Sequence, residues 1–119
     1  MKVILVKPNE PATMAEIGSD LQSLQDTVGG FIEALYPFDD EVAIICNEEG
    51  KLTGQPLNRA LHDADGNLYD IIAGSFIICW LTDDNFDSLN EEQLKTYLDK
   101  FRKPEVFVRV NDRIIAVKI

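Results

Sequence analysis

The stretch LYDIIAGSFIICWL, residues 68 to 81, decides which strand lies at the centre of the predicted sheet. It is too apolar for a sheet edge, where side chains and backbone groups face water. Gly74 interrupts the run, and a glycine inside a strand marks a bulge or a close approach of another backbone. We therefore predict one long or bulged central strand over residues 68–81.

Shorter apolar runs on both sides of this stretch predict further strands. They are KVILV (2–6), FIEALY (31–36), VAIIC (42–46), EVFVRV (105–110) and RIIAVKI (113–119). The polar link between the second and third runs is short, which predicts an antiparallel hairpin. Asn111-Asp112 joins the last two runs, so we predict a second hairpin at the C-terminal end of the sequence.

The first helix is predicted from an apolar stripe that recurs every three or four residues. The stripe consists of Met14, Ile17, Leu21, Leu24 and Val28. Thr13 and Glu16 have the spacing of a capping box, in which two side chains satisfy backbone N–H groups at a helix start. Gly29-Gly30 is typical of a helix end. These signals predict a helix that begins after Thr13 and ends at Gly29.

A second capping box, formed by Ser88 and Glu91, predicts a helix that runs to about Arg102. Its apolar stripe is Leu94, Tyr97, Leu98 and Phe101. Proline is frequent in the first turn of a helix, so Pro56 predicts a short helix over residues 57–61.

The order of these elements indicates the fold class. Strands come mostly as hairpins, and helices do not alternate regularly with strands as in a doubly wound sheet. We predict an α+β fold, with a mixed or antiparallel sheet, two main helices on one face and a C-terminal β-hairpin. The 119 residues predict a single domain, 1–119. The hairpin, residues 104–119, either offers an edge for a homodimer or seals the sheet.

The charge balance limits the classes of partner. The chain has 21 acidic and 11 basic residues, for a net charge of −10. This balance argues against direct binding to nucleic-acid phosphates or to anionic membrane surfaces, which requires clustered Lys and Arg. The acids fall in predicted turns, chiefly at 39–41, 48–49, 63–65 and 83–87. Solubility, a basic partner, or mimicry of nucleic-acid charge each account for them.

No apolar stretch reaches the roughly 20 residues that a membrane-spanning helix needs. The N-terminal apolar run is also too short for a signal peptide, so a cytoplasmic location is predicted.

Two cysteines and one histidine are fewer than the four ligands of a structural zinc site, and we predict free, buried thiols. The turn from Asp63 to Asn67 resembles the start of an EF-hand calcium loop. Such a loop has Gly at its sixth position and Glu at its twelfth, but here Leu68 and Gly74 occupy them. We therefore predict no metal and no cofactor.

The segment CNEEGKLTGQPLNRAL, residues 46 to 61, has the highest density of candidate binding side chains. Arg59 could hold a carboxylate or phosphate with two parallel hydrogen bonds, and Asn47 and Asn58 could bind polar groups. The alternative is structural: Asn47 and Gly50 make a turn, while Asn58 and Arg59 cap and cover the short helix. The only cysteine–histidine pairing would use Cys46 or Cys79 with His62, and nothing in the sequence supports such a pairing.

Three blocks of the sequence carry a family resemblance: VGGFIEAL (28–35), VAIICNEEGKLTGQPLNRAL (42–61) and DIIAGSFII (70–78). They resemble the domain-of-unknown-function family 3846, small proteins of phages, plasmids and conjugative elements. The resemblance runs from about residue 1 to residue 101, so residues 1–103 are a family-like core and 104–119 an extension. The matching residues are Gly29, Gly30, Glu33, Asn47, Glu49, Gly50, Pro56, Asn58, Arg59, Asp70 and Gly74. The family implies no established activity for any of them.

These observations leave three hypotheses. The leading one is a non-enzymatic accessory protein of a mobile element that binds a protein or a small ligand. Its predicted contact residues are Glu33, Asn47, Glu49, Gly50, Asn58 and Arg59. The first alternative is an acidic mimic of nucleic acid that inhibits a host DNA-binding or restriction enzyme. The second is an unrecognised hydrolase or transferase, which requires Asn47, Glu49, Asn58, Arg59 and His62 to meet in one pocket.

Overall fold

The computed structural model describes residues 1–119 and contains two helices and ten strands. The strands are β1 (Lys2–Val6), β2 (Thr13–Glu16), β3 (Ile32–Leu35), β4 (Val42–Asn47), β5 (Leu57–His62), β6 (Leu68–Ala73), β7 (Phe76–Leu81), β8 (Phe86–Asp87), β9 (Glu105–Val110) and β10 (Arg113–Lys118). The helices are α1 (Leu21–Val28) and α2 (Glu91–Lys100). The fold is α+β with antiparallel sheets and a C-terminal hairpin, as predicted.

The main sheet has the strand order β2-β1-β7-β4-β3, and β8 pairs with the end of β7. The central position of β7 confirms that the apolar run 76–81 is interior. The prediction of one strand over 68–81 is wrong, because the chain turns at Gly74, where φ is +83°. Few residues other than glycine adopt that backbone conformation. Residues 68–73 therefore leave the main sheet and pair with β5 in a separate two-stranded sheet.

The helix predicted over 57–61 is also wrong, since Leu57–His62 forms β5. Four consecutive residues of this strand, 58 to 61, are buried, so both of its faces are covered. Pro56 precedes the strand, and its carbonyl accepts a hydrogen bond from the Gly74 N–H at 2.7 Å. Proline lacks an N–H but can still accept, which explains why it starts a strand here as readily as a helix.

Helix α1 begins later than predicted. Its N-cap is Asp20, whose side chain accepts a hydrogen bond from the Ser23 N–H, and residues 13 to 16 form the edge strand β2. In β2 the side chains alternate, because Met14 lies opposite Ile4 while Ala15 lies opposite Val3 on the other face. The apparent helical stripe thus joined residues of a strand to residues of a helix. The predicted end is confirmed, since Gly29 is the C-cap in a left-handed conformation.

Helix α2 is confirmed, with a different cap. Asn90 and Gln93 form its capping box, two residues after the Ser88 and Glu91 pair that the sequence suggested. The Ser88 hydroxyl instead accepts a hydrogen bond from the Lys2 N–H at 2.9 Å. A long-range contact therefore engages the side chain that local spacing assigned to the cap.

The two helices lie on opposite faces of the main sheet, which corrects the prediction that they share one. Tyr97 of α2 packs in a cluster with Ile44 and Ile78. On the other face, Leu24 of α1 packs with Ile45 and Ile77. Because β4 and β7 are apolar on both sides, a helix on each face is needed to exclude water from them. No helix of the structure is long and apolar enough to cross a membrane.

The cysteines are free and buried, as predicted. Cys46 lies in the cluster beneath α2, whereas Cys79 lies in the cluster beneath α1. Burial raises the pKa of each thiol to about 12. For Cys46, charge repulsion from nearby Glu33 contributes to the raised pKa, after burial.

We predict that neither thiol of the native protein reacts with an aromatic disulfide reagent at about pH 8, because only the thiolate attacks. Absorbance of the released thiol should rise only after unfolding in guanidinium. Rapid release from the native protein would contradict the burial of these side chains.

Candidate functional site

Asn58 and Arg59, the centre of the predicted site, have no exposed surface (0% each). Asn58 Nδ2 donates hydrogen bonds to the carbonyl of Val6 at 3.0 Å and to that of Gly74 at 2.9 Å. Its Oδ1 accepts from Arg59 Nη1 at 2.8 Å. The amide therefore connects the end of β1 to the turn between β6 and β7, and it has no group free for a ligand.

The guanidinium of Arg59 is occupied in the same way. Its Nη2 donates to the carbonyls of Glu10 at 2.7 Å and Phe101 at 2.9 Å, and Nη1 also contacts the Asn58 carbonyl at 3.3 Å. Burial lowers the pKa of Arg59, and the negative charge of Glu105 opposes that effect. Arginine retains its proton at neutral pH even so. A full positive charge is thus held in the interior by backbone oxygens from distant segments.

Glu105 is the counter-charge. It is buried, and its Oε1 accepts a hydrogen bond from the Ala60 N–H at 3.1 Å. Its Oε2 lies 4.0 Å from Arg59 Nε, which has no hydrogen-bond partner. We call Asn58, Arg59 and Glu105 the Arg59 network. It holds the first residue of β9 against β5 and so fixes the position of the C-terminal hairpin.

Asn47 and Gly50 have structural contacts of their own. Asn47 Oδ1 accepts from the Glu49 N–H at 2.8 Å, and its Nδ2 donates to the Val28 carbonyl at 3.3 Å. A side chain at Gly50 would place its Cβ 2.6 Å from the Ala73 carbonyl oxygen, which is a clash. Both residues therefore build the turn after β4, as the structural alternative predicted.

Glu33 and Glu49 are exposed, and neither forms an ion pair. Glu33 lines a depression of about 250 Å³ together with Asn47, Lys51 and Asp70. Lys51 Nζ and Asp70 Oδ1 are 2.6 Å apart across it. Glu49 is not part of this lining. Of the six predicted contact residues, Glu33 and Glu49 are therefore the ones whose charged groups face solvent without a partner.

The residues proposed for a hydrolase or transferase do not meet in one pocket. His62, at the end of β5, lines a cavity beside the C-terminal hairpin, whereas Asn47 lines the depression near Glu33. Asn58 and Arg59 lie between the sheets. No group of three or more His, Cys, Asp or Glu side chains is arranged to hold a metal ion.

The acidic turns do not form one track. The Leu81 N–H donates to the Glu41 carbonyl at 2.8 Å, so the turns at 39–41 and 83–87 lie at the same end of the main sheet. Glu48 and Glu49 follow the opposite end of β4. The acidic turns at 39–41 and 83–87 therefore lie at the opposite end of the sheet from Glu48 and Glu49.

Sequence reasoning missed a groove of about 560 Å³ between β2 and α2. Met14, Leu94 and Leu98 give its apolar surface, and Lys2, Glu16, Glu91 and Lys95 surround them. We call it the β2–α2 groove. The four residues Thr13–Glu16 do not alternate between apolar and polar, so the sequence carried no local signal of this edge strand.

The groove lies beside an unpaired sheet edge. Met1 and Ile17 exchange backbone hydrogen bonds, so alternation along the antiparallel ladder turns the N–H and C=O of Glu16 and Met14 away from β1. No strand lies on that side of β2. The Leu89 N–H bonds to the Lys2 carbonyl, and the Ala12 N–H to the Phe101 carbonyl. Helix α2 therefore runs antiparallel to β2 along the whole groove.

The fold and these contacts define a small α+β protein in which Asn58 and Arg59 are interior and the β2–α2 groove is open to solvent. The family model described as Domain of unknown function (DUF3846) matches residues 1–102. The chain therefore belongs to this family, and the suspected resemblance is confirmed. Comparison with curated proteins and with solved structures found no match. The hairpin strands β9 and β10 lie outside the matched residues.

We predict that Arg59→Ala lowers the free energy of unfolding by about 3–5 kcal/mol, because it leaves a buried carboxylate without its counter-charge. Arg102→Ala is the matched control, since Arg102 pairs with Asp99 on the surface. Its effect should stay within about 0.5 kcal/mol. Urea unfolding followed by circular dichroism measures both. Equal midpoints for the two variants would contradict the structural role of Arg59.

Proposed function

We propose that this chain is a non-enzymatic accessory protein of a mobile genetic element that acts in the cytoplasm and binds a partner protein. The mobile-element context rests on the family resemblance. The binding mode rests on one observation: an unpaired edge strand, β2, lies beside an apolar groove. Edge strand and groove together suit an extended peptide that adds a strand to the sheet.

The backbone of β2 supplies the hydrogen bonds of this mode. The outward N–H and C=O groups of Met14 and Glu16 lie one strand spacing from where a peptide backbone would run. These hydrogen bonds use only the backbone of the peptide and do not depend on its sequence. The side chains around β2 must therefore select the partner.

The side chains of the groove are suited to that selection. Met14 is 62% exposed, and a flexible thioether adapts to ligands of varied shape. Leu94 and Leu98 lie one helical turn apart on α2 and extend the apolar surface. A peptide with apolar side chains at alternate positions would place them here, since alternate residues of a strand share one face.

The charged residues around the groove define the partner further. Lys2, Glu16, Glu91 and Lys95 form no ion pairs with other side chains, so they are available to a ligand. Lys2 and Glu16 lie opposite each other at the start of α2, and Lys95 follows one turn after Glu91. We propose a partner segment that has both charge signs flanking its apolar residues.

We predict that peptides selected from a random display library bind in the β2–α2 groove. Glu16→Pro removes an outward N–H without touching the pairing with β1, and should weaken binding about tenfold or more. Glu16→Ala is the matched control, because it removes the same side chain but keeps the N–H. Fluorescence anisotropy measures affinity, and circular dichroism verifies the fold.

A second pair of variants tests the location. Met14→Asp should abolish binding because it puts a charge against the apolar surface. Glu33→Ala combined with Glu49→Ala should not change it, since β3 is at the opposite edge of the sheet from β2. Loss of binding in the second variant alone would instead support the contact surface that the sequence predicted.

A further inference from the structure

The C-terminal hairpin has two faces of different composition. Cross-strand pairs share a face, and the pairs Val106–Val117, Val108–Ile115 and Val110–Arg113 lie on one of them. Glu105–Lys118, Phe107–Ala116 and Arg109–Ile114 lie on the other. The first face therefore carries one charged residue, whereas the second carries three.

The more apolar face is the one that points away from the protein. Glu105 is buried against β5, and Phe107 and Ala116 are partly buried on the same side. On the other face, Val106, Val108, Val110, Ile115 and Val117, with Ile119 beyond them, are between 38% and 64% exposed. We call these six side chains the outer hairpin face. Alternation normally turns the apolar set inward, so this register indicates that the outer hairpin face is covered in the working protein.

The charge distribution indicates what covers it. Residues 104–119 hold three basic and two acidic side chains, whereas residues 1–103 hold eight and nineteen. Two copies of so acidic a chain repel each other over most of their surface. The hairpin is where that repulsion is least. A basic partner would meet almost no acidic group on the outer hairpin face, because its one charge is that of Arg113.

We infer that the outer hairpin face is the interface between two copies of this chain. The two hairpins pack face to face as a small β-sandwich, with a two-fold axis near the central pair Val108–Ile115. In this packing the Val and Ile side chains of one copy interdigitate with the same side chains of the other copy. A two-fold interface is formed by the same patch on both subunits, and this face is suited to that arrangement. A lone two-stranded hairpin is marginally stable in water, and this packing gives it a second layer.

The area is consistent with a reversible dimer. The exposed fractions of the six side chains correspond to roughly 400–500 Å² of apolar surface per copy, within the range of the largest single patches on monomers. Two such faces with their surrounding residues approach the roughly 1,000 Å² that a specific interface requires. The dimer should therefore dissociate on dilution.

Sedimentation of the full chain from micromolar to millimolar concentration tests the inference. Wild type should pass from monomer to dimer. Val108→Lys places like charges near the axis and should weaken dimerisation about 100-fold or more. Ile114→Lys is the matched control, because Ile114 is 45% exposed but lies on the opposite face of the hairpin. It should dimerise like wild type.

A mixture of Val108→Lys and Val108→Glu chains should recover the dimer, since opposite charges then meet across the axis. Recovery supports contact between the two outer hairpin faces. Wild type that stays monomeric at millimolar concentration overturns the inference. So does a dimer that persists in Val108→Lys, which would indicate pairing along the free edge of β10. Circular dichroism of each variant separates loss of dimer from loss of fold.

Discussion

The buried guanidinium of Arg59 is the interaction on which the arrangement of the two sheets depends. It bonds to the carbonyls of Glu10, after β1, and of Phe101, at the end of α2, and it faces Glu105 at the start of β9. A buried charge is tolerated only when its partners are all in place. Loop, helix and hairpin must therefore assemble around β5 together. This requirement makes the position of the hairpin part of the folded core, although it lies outside the family-matched residues.

The same constraint places Asn58 and Arg59, the centre of the segment predicted to bind, in the interior. The Asn58 side chain donates hydrogen bonds to the carbonyls of Val6 and Gly74. Asn47 shapes the turn after β4, in which Gly50 packs against the backbone of Ala73. These residues of the family-matched range thus have structural contacts within the fold. Side chains that contact a partner must be exposed, and the β2–α2 groove and the outer hairpin face together hold seven of the fifteen large apolar side chains that are exposed.

The sequence predicted those elements whose signals are local. The hairpin of β3 and β4, helix α2 and the C-terminal hairpin follow from apolar periodicity and turn residues. The sequence failed to predict the features that depend on contacts with residues far away in the chain. Thr13–Glu16 is a strand because β1 lies beside it, and Asn58 and Arg59 are interior because carbonyls at Val6, Glu10 and Phe101 surround them. No local pattern distinguishes an arginine that binds a ligand from one that binds its own backbone.

Helix α2 links the two surfaces proposed to bind. One side of it lines the β2–α2 groove through Leu94 and Leu98, and its last carbonyls reach the Arg59 network that positions the hairpin. The groove and the outer hairpin face use different residues, so occupation of one leaves the other free. A dimer formed through the hairpins therefore carries two open grooves. Two weak strand-addition sites in one assembly bind a partner with repeated segments far more tightly than either site alone, so the proposed dimer would strengthen the proposed binding of a partner.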